Sequence, residues 1–417
     1  MKAKIESGRP SPLFGPAPAV GDCGAGEVDP QRRFRPNVYW YLTFRCNLSC
    51  AHCWVQSSPR VDVSEDLTTA EAMAVIEQLT ELNAGACTLS GSEVLTRRDA
   101  VEIIERLGAS GIKVMVETNG LLIGDRFLEV AGRLQRGVGL NIGISLDGGD
   151  AATHERLRGP RTFHRTVRNL YRLKEHDVRF NLQCTINRTN IETIPALYDI
   201  AADLRPALRC LGFCLLNPLG WGEELAGDLG VGFKDLERIL TLIRRHKSCF
   251  AGVTLIKALP AAIPLRFFPM ALKESLVSTL VTCQFPLLGI LPNGDVTICA
   301  LSRENQELRF GNVRTSRLAQ MWHQARLDVL RRRYLAADHL QGICGDCIWN
   351  RGCRGACRAW AYQDGASFDA PYPLCAALAD AGEFPAAYRI SAQRQVLERH
   401  RPAGGCAGCG PEQEMVS

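Results

Sequence analysis

The sequence has little of what several common enzyme classes need. Its eight histidines form no H-x-H or H-E-x-x-H pair, and no glycine-rich phosphate loop or Ser-His-Asp arrangement stands out. No apolar run approaches the roughly 20 residues that cross a bilayer, and the N-terminus lacks the apolar core and cleavage site of a signal peptide. We therefore expect neither export nor membrane insertion, and predict a cytoplasmic protein.

The chain also has little net charge, but it is rich in cysteine. A net charge of +5, with basic residues spread along the chain, gives no indication of nucleic-acid binding. Many of the 18 cysteines cluster at short spacings, which indicates metal ligation in a reducing compartment. Five of the 18 lie instead in apolar contexts and are interpreted as core residues, namely Cys87, Cys184, Cys210, Cys214 and Cys249.

Strand-like and helix-like segments alternate through the first half of the chain. Six short apolar runs read VYWYLTF, ACTLS, KVMVETN, LNIGISLD, RFNLQCTIN and LRCLGFCLL. Between them, segments such as AEAMAVIEQLTEL repeat apolar residues at the period of an amphipathic helix. Repeated strand–helix units predict an α/β fold with a parallel sheet, either open or closed into a partial barrel, and place functional residues at the C-terminal ends of the strands.

The texture of the chain predicts five segments. They are an N-terminal arm rich in Pro, Gly and Ala over residues 1–36, a strand–helix domain over 37–225, a helical bridge over 226–280, a small cysteine-rich domain over 281–380 and a C-terminal tail over 381–417. Nearly half of the residues, 46%, are apolar, so a large core is available.

A first group of cysteines follows the first predicted strand. Cys46, Cys50 and Cys53 form C-x3-C-x2-C. Three thiolates hold a 4Fe-4S cluster while leaving one iron open to another ligand, as cofactor chemistry at that iron requires. Buried structural cysteines or an incomplete zinc site are the alternatives.

This triplet resembles the signature of the radical S-adenosylmethionine (radical SAM) superfamily, whose catalytic domain is a partial (βα)6 barrel. The resemblance implies that S-adenosylmethionine (SAM) binds the open iron, and that one electron cleaves it to methionine and a 5′-deoxyadenosyl radical. The radical then abstracts hydrogen from the substrate. The resemblance does not say which residues besides the cluster are catalytic.

Later motifs lie where that resemblance expects them. Ser90-Gly91-Ser92-Glu93 resembles the Gly-Gly-Glu motif of the family, with Ser92 in place of the second glycine. Small polar residues end the third and fourth strands, where ordinary turns are the alternative. Of two arginines that follow, Arg165 is preferred to Arg158 for the SAM carboxylate. The residues expected around SAM are Gly91, Ser92, Glu93, Thr118, Asn119, Ser145, Asp147 and Arg165.

A second cysteine framework occupies the C-terminal part. Its members are Cys283 and Cys299, on either side of a Pro-Asn-Gly-Asp turn, then Cys344, Cys347, Cys353 and Cys357, and finally Cys375. The set resembles the SPASM domain of radical SAM enzymes, with a zinc ribbon as the alternative.

The SPASM resemblance implies two auxiliary clusters and so three 4Fe-4S clusters in all. One would use Cys344, Cys347, Cys353 and Cys375, and the other Cys283, Cys299 and Cys357. The second set lacks a fourth ligand, for which Cys406, Cys409 and Cys23 are candidates unless the site is open.

The resemblance also implies a substrate class and partners. SPASM enzymes mostly modify peptides, so we expect a precursor peptide that is crosslinked, epimerised, oxidised or excised, and an electron donor such as flavodoxin or ferredoxin. Ala300 replaces the acidic residue of sulfatase maturases, which disfavours glycyl formation. Small-molecule chemistry, such as that on porphyrin side chains, and a non-catalytic iron-sulfur or zinc scaffold are the alternatives.

Overall fold

One mixed sheet organises the computed structural model, which describes residues 35–216, 219–257, 287–303, 305–365 and 367–393. Its strands are β1 Asn37–Tyr41, β2 Ala86–Ser90, β3 Lys113–Thr118, β4 Leu140–Ser145, β5 Phe180–Ile186, β6 Leu208–Leu215, β7 Val253–Lys257, β8 Leu287–Ile290, β9 Asp295–Thr297 and β10 Arg309–Asn312. Their order is β10-β9-β8-β1-β2-β3-β4-β5-β6-β7. All neighbours from β8 to β7 are parallel, whereas β8, β9 and β10 pair antiparallel.

Helices connect the parallel strands and build the C-terminal part. They are α1 Thr69–Glu81, α2 Ala100–Ala109, α3 Asp125–Arg136, α4 Ala151–Arg158, α5 Phe163–Glu175, α6 Ile194–Asp203, α7 Trp221–Glu224, α8 Ala226–Leu229, α9 Phe233–His246, α10 Leu318–Trp322, α11 Ala325–Ala336, α12 Gly342–Gly345, α13 Asn350–Cys353, α14 Arg358–Gly365 and α15 Pro373–Asp380. None of these described helices is long and apolar enough to cross a membrane.

The first crossover helix shows why these segments are helical. Thr68 caps α1, because its hydroxyl accepts a hydrogen bond from the Glu71 amide while the Glu71 carboxylate accepts one from the Thr68 amide. Apolar residues three and four positions apart then fall on one buried face. That face covers the sheet from outside.

The six predicted strands are confirmed as β1 to β6, and the partial barrel with them. The helical bridge predicted over 226–280 is wrong in one part, because β7 follows α9 and pairs with β6. The VTLIK segment of β7 is rich in β-branched residues, which favour a strand. Residues 258–286 lie outside the described chain, so the boundary with the next segment stays a prediction.

The two faces of the parallel strands differ in character. In β5, Phe180, Leu182, Cys184 and Ile186 are buried against helices, whereas the alternating Asn181, Gln183 and Thr185 are half-buried. The same alternation runs through β2 and β3. We call the side that carries Thr88, Glu117 and Gln183 the inner face. It is polar and only partly covered.

Candidate active site

The loop after β1 carries the first three cysteines, and we call residues 46–53 the cluster loop. Hydrogen bonds to two neighbouring segments hold it in place. Within it, the Cys53 amide donates to the Cys50 carbonyl oxygen at 3.1 Å. The Ala51 amide donates to the Leu157 carbonyl oxygen of α4 at 2.8 Å, and the Trp221 amide of α7 donates to the Cys53 carbonyl oxygen at 3.1 Å. The loop therefore lies between the start of α7 and the end of α4.

Backbone amides point at the sulfur atoms of this loop. The Leu48 amide lies 3.4 Å from Cys46 Sγ, and the Ser57 amide lies 3.3 Å from Cys53 Sγ. Burial raises the pKa of Cys46 to about 12 and that of Cys50 to about 11. Such thiols ionise at neutral pH only when a cation replaces the proton, as bound iron does. Three soft donors with N–H···S hydrogen bonds fit an iron-sulfur cluster.

Glu93 is fully buried at the end of β2 and joins it to β3. Its carboxylate accepts hydrogen bonds from Thr118 Oγ1 at 2.8 Å, from the Asn119 amide at 2.7 Å and from the Leu95 amide at 3.0 Å. Burial raises the pKa of Glu93, and these hydrogen bonds limit the rise. The structure thus gives Glu93 protein partners at both oxygens, and its contact with SAM stays a prediction.

Gly91 and Ser92 face the segment that leads from β1 into the cluster loop. The Ser92 hydroxyl lies 2.8 Å and 2.6 Å from the carbonyl oxygens of Thr43 and Arg45. Gly91 has a φ of +109°, and a Cβ there would lie 2.7 Å from Tyr41 Cδ1. Gly91 is therefore required by both conformation and space, whereas the serine at 92 uses its side chain to hold the loop.

Asn119 connects the end of β3 to the cluster loop. Its Nδ2 donates to Asn47 Oδ1 at 2.8 Å and lies 3.9 Å from Cys46 Sγ. The Thr166 hydroxyl donates to the Asn119 carbonyl oxygen at 3.2 Å, which places the first turn of α5 beside this strand end. Arg165, in that turn, is exposed. Its pairing with the SAM carboxylate stays a prediction.

A buried ion pair lies at the end of β4, where Ser145 is half-buried. Arg158 Nε donates to Asp147 Oδ2 at 2.5 Å, and the Thr185 amide donates to Asp147 Oδ1 at 2.8 Å. Burial alone would raise the pKa of Asp147, but the charge of Arg158 and the hydrogen bond from the Thr185 amide help to hold the pKa below its ordinary value. Asp147 thus anchors α4 beside the cluster loop.

Two histidines surround this ion pair, and sequence reasoning gave neither a role. His52 Nε2 lies 3.6 Å from Asp147 Oδ2, and the Asp147 amide donates to His154 Nδ1 at 3.1 Å. Burial lowers the pKa of each histidine to about 4, so both rings are neutral at pH 7. The position of His52 between two cluster cysteines was the available signal.

Four cysteines of the second framework share one small core. They are Cys344, Cys347, Cys353 and Cys375, each less than 10% exposed. The Tyr372 amide lies 3.2 Å from Cys344 Sγ, and the Trp349 amide lies 3.4 Å from Cys347 Sγ. Burial, and then the nearby thiols, raise the pKa of Cys375. The donor set therefore fits an iron-sulfur cluster by the same criteria as the first loop.

Of the remaining framework cysteines, Cys357 packs against the edge of this core and Cys299 directly precedes the short 3-10 helix that follows β9. Burial, followed by the charge of Cys357, raises the pKa of Tyr372, so Cys357 lies beside that ring. Helix α14, which begins directly after Cys357, reaches the segment after Cys299 through Gln363 Nε2, which donates to the Leu301 carbonyl oxygen at 2.7 Å. Cys283, together with the candidate ligands Cys23, Cys406 and Cys409, lies outside the described residues.

Three of the five cysteines interpreted as core residues are buried, and two are not. Cys87, Cys184 and Cys210 are buried as expected. Cys249 is exposed in a short 3-10 helix after α9, so the core interpretation is wrong for it. Cys214 is half-buried and lies 3.7 Å from Thr185 Oγ1 on the inner face, a position that an apolar sequence context does not reveal.

Comparison with known proteins decides the family. The family model described as "Radical SAM superfamily" matches residues 40–201, and the one described as "Iron-sulfur cluster-binding domain" (SPASM) matches residues 283–348. The chain is a radical SAM enzyme with a SPASM domain. The first match covers β1 to α6 and all three cysteines of the cluster loop, and the second begins at Cys283 and extends through Cys347.

The relatives of this radical SAM chain are named for different activities. It is 29% identical to the AdoMet-dependent heme synthase of Methanosarcina barkeri over 81% of this chain and 95% of that protein. It is 26% identical to the mycofactocin maturase MftC of Mycobacterium tuberculosis over 81% of each. Among solved structures, Streptococcus suis SuiB bound to S-adenosylmethionine has a TM-score of 0.61 at 15% identity, covering 81% of this chain and 76% of SuiB. That likeness concerns the fold.

Alanine at Gly91 tests the close approach to Tyr41. We expect Gly91→Ala to lower the free energy of unfolding by about 3 kcal/mol or more, from backbone strain plus a clash. Gly111 is the matched control, since its φ is +77° but nothing lies within 4 Å of an added Cβ. Gly111→Ala should cost only about 1–2 kcal/mol. If both variants lost the same free energy of unfolding in urea, the close approach of Gly91 to Tyr41 would carry no cost.

The ion pair at the end of β4 can be tested with a double-mutant cycle. Arg158→Gln and Asp147→Asn each leave one buried charge without its partner, so each should destabilise the protein by about 3–5 kcal/mol. The double variant should regain part of that loss, because no uncompensated charge remains. Thermal unfolding of the reconstituted protein measures the three variants, and strictly additive losses would show that the two side chains do not interact.

Iron content tests the four-cysteine core. Cys353→Ala/Cys375→Ala should lower iron by about four atoms per chain after anaerobic reconstitution, since only two thiolates remain at that cluster site. Cys249→Ala, at an exposed cysteine, is the control and should leave iron unchanged. Unchanged iron in the double variant would show that these four cysteines hold no iron-sulfur cluster, and zinc bound by the wild-type protein would identify another metal.

Proposed function

We propose that this radical SAM enzyme cleaves SAM reductively and modifies a ribosomally made precursor peptide by hydrogen abstraction. One observation supports the SAM-cleaving part: three sulfur donors lie on one loop, and this loop contacts the polar end of β3, where Asn119 Nδ2 donates to Asn47 Oδ1 and lies 3.9 Å from Cys46 Sγ. When bound, the cluster on Cys46, Cys50 and Cys53 supplies the electron that cleaves SAM to methionine and a 5′-deoxyadenosyl radical.

The protein's own residues have three tasks in this proposal. Gly91, Ser92 and Glu93 hold the ends of β1, β2 and β3 in fixed relation to the cluster loop. Ser145, Thr118 and Asn119 offer short polar side chains at the strand ends for SAM. Arg165, exposed at the start of α5, is free to turn toward the SAM carboxylate.

A peptide substrate is supported by the second cysteine framework and by the relatives. A substrate radical that must lose an electron needs an acceptor nearby, and auxiliary clusters on the SPASM cysteines would supply one. MftC is named as a maturase, and SuiB has been solved with its precursor peptide SuiA. We further propose two auxiliary clusters, three in all, and a flavodoxin or ferredoxin as the electron donor.

Tetrapyrrole chemistry is the second candidate, and sequence identity favours it. The heme synthase of M. barkeri matches along nearly its whole length, and the Fe-coproporphyrin III synthase of the same organism is 33% identical over 196 residues, covering 46% of this chain and 47% of that protein. Both candidates share the SAM-cleaving site and differ in what enters beside it.

One assay tests the cleavage and separates the candidates. Reconstituted protein is incubated anaerobically with SAM and dithionite, alone, with peptides encoded by neighbouring genes, or with Fe-coproporphyrin III, and 5′-deoxyadenosine is quantified. Wild type should form 5′-deoxyadenosine, and one peptide should increase its rate about tenfold or more. Cys46→Ala/Cys50→Ala/Cys53→Ala should form none, because no cluster can bind.

The controls make each result readable. Cys249→Ala should match wild type, since Cys249 is exposed and away from the framework spacings. Stimulation by Fe-coproporphyrin III and not by peptides would replace the first candidate with the second. A protein that loads iron on the first loop yet cleaves no SAM would contradict both.

A further inference from the structure

The inner face of the sheet is unusually open for parallel strands. Parallel sheets are normally covered by apolar side chains on both faces. Here Tyr39, Thr88, Glu117 and Gln183 are all half-buried on one face, while residues on the other face, such as Val116, are fully buried. A polar, partly covered face enclosed by a curved sheet is a space for a ligand.

Two glycines inside strands shape this space. A Cβ on Gly143 in β4 would lie 3.5 Å from Met115 Cε and 3.9 Å from Glu117 Cγ, which are ordinary contact distances. A Cβ on Gly212 in β6 would lie 2.7 Å from Gln183 Oε1, so the Gln183 side chain itself occupies the room that Gly212 leaves. Glycine in the middle of a strand weakens the strand and can mark the close approach of a ligand, and Gly143, beside Glu117, fits that explanation.

Glu117 is a carboxylate that has no basic partner among the described residues. The Ser90 hydroxyl donates to Glu117 Oε2 at 2.5 Å. No lysine, arginine or histidine in the described part of the chain forms an ion pair with it. The charge of Glu117, followed by burial, raises the pKa of Tyr39, which shows how close the two groups lie.

At the C-terminal end of β3, the inner face carries a negative charge. Over β2 to β5 the inner face carries two charged residues, Glu117 at the C-terminal end of β3 and Lys113 at the exposed opposite end of the same strand. Glu117 immediately precedes Thr118 and Asn119, so it lies near the cluster loop. A half-buried carboxylate in this position attracts a cation and repels the carboxylates of a tetrapyrrole.

We propose that Glu117 anchors a cationic group of the substrate, a primary ammonium or a guanidinium, on the inner face beside the SAM site. The assignment rests on the proposed function, since it takes the substrate to be a peptide, which carries such groups in lysine, in arginine and at its N-terminus. The Ser90 hydroxyl orients the carboxylate, and Gly143, which has no side chain beside Glu117, leaves room for the side chain that carries the cation.

Two probe peptides test the assignment even while the natural substrate is unidentified. Acetyl-Ala-Ala-Lys-Ala-Ala-amide and its norleucine counterpart differ in one ammonium group. Their binding to reconstituted, SAM-loaded full-length protein is measured by equilibrium dialysis. Wild type should bind the lysine probe about tenfold more tightly than the norleucine probe, because one partly desolvated ion pair is gained.

Two variants locate the preference. Glu117→Gln should abolish it, and Lys113→Gln, at the far end of the same strand, should preserve it. Glu117→Asp keeps the charge and should retain part of the preference, which separates loss of charge from misfolding. Equal binding of both probes to wild type, or a lysine preference that survives Glu117→Gln, would overturn the assignment.

The SAM ammonium is the other cation that Glu117 could serve, and its dissociation constant is measured for the same proteins. Weaker SAM binding in Glu117→Gln with an unchanged lysine preference would overturn the assignment to the substrate. A lysine preference that depends on Glu117, in a protein whose 5′-deoxyadenosine formation no peptide stimulates, would support the anchor while contradicting the proposed peptide substrate.

Discussion

The buried carboxylate of Glu93 is the constraint on which the rest of the active site depends. A carboxylate that is removed from water must be satisfied by hydrogen bonds, and here the hydroxyl of Thr118 and the amides of Leu95 and Asn119 provide them. These contacts fix the end of β3 against the end of β2. The hydrogen bond from Asn119 to Asn47 then fixes the cluster loop relative to the end of β3. Any shift of Glu93 would move the residues predicted to contact SAM together with the cysteine loop after β1.

A second set of contacts joins the two cysteine frameworks. Strand β8 pairs with β1, and Arg303 Nη1 donates to the Val55 carbonyl oxygen at 3.2 Å, beside the cluster loop. Its guanidinium also lies 5.3 Å from the centre of the Phe44 ring. The SPASM part is therefore built onto the same sheet as the cysteine loop after β1. Fixed geometry of this kind suits electron transfer between sites, because transfer depends on a constant separation.

Much of the fold could be predicted because its signals are local. Alternating apolar residues indicated β1 to β6, and cysteine spacing indicated both frameworks before any contact was known. The sequence did not reveal that β8 is a neighbour of β1, since strand pairing depends on distant residues. It also did not reveal that Asp147 pairs with Arg158, or that Glu117 is half-buried on the inner face while Thr118 beside it is buried. Those facts depend on strand register and helix placement, which no short motif encodes.

The pairing of β8 with β1 also limits when the sheet can be completed as the chain leaves the ribosome. Trp40 and Ile290 are register partners about 250 residues apart, so the edge of β1 has no neighbour on that side until most of the chain has emerged. An unpaired edge is a site for aggregation. Arg303, which donates to the Val55 carbonyl oxygen beside the cluster loop, is synthesised equally late. The final packing around Cys46, Cys50 and Cys53 therefore waits for the C-terminal part of the chain.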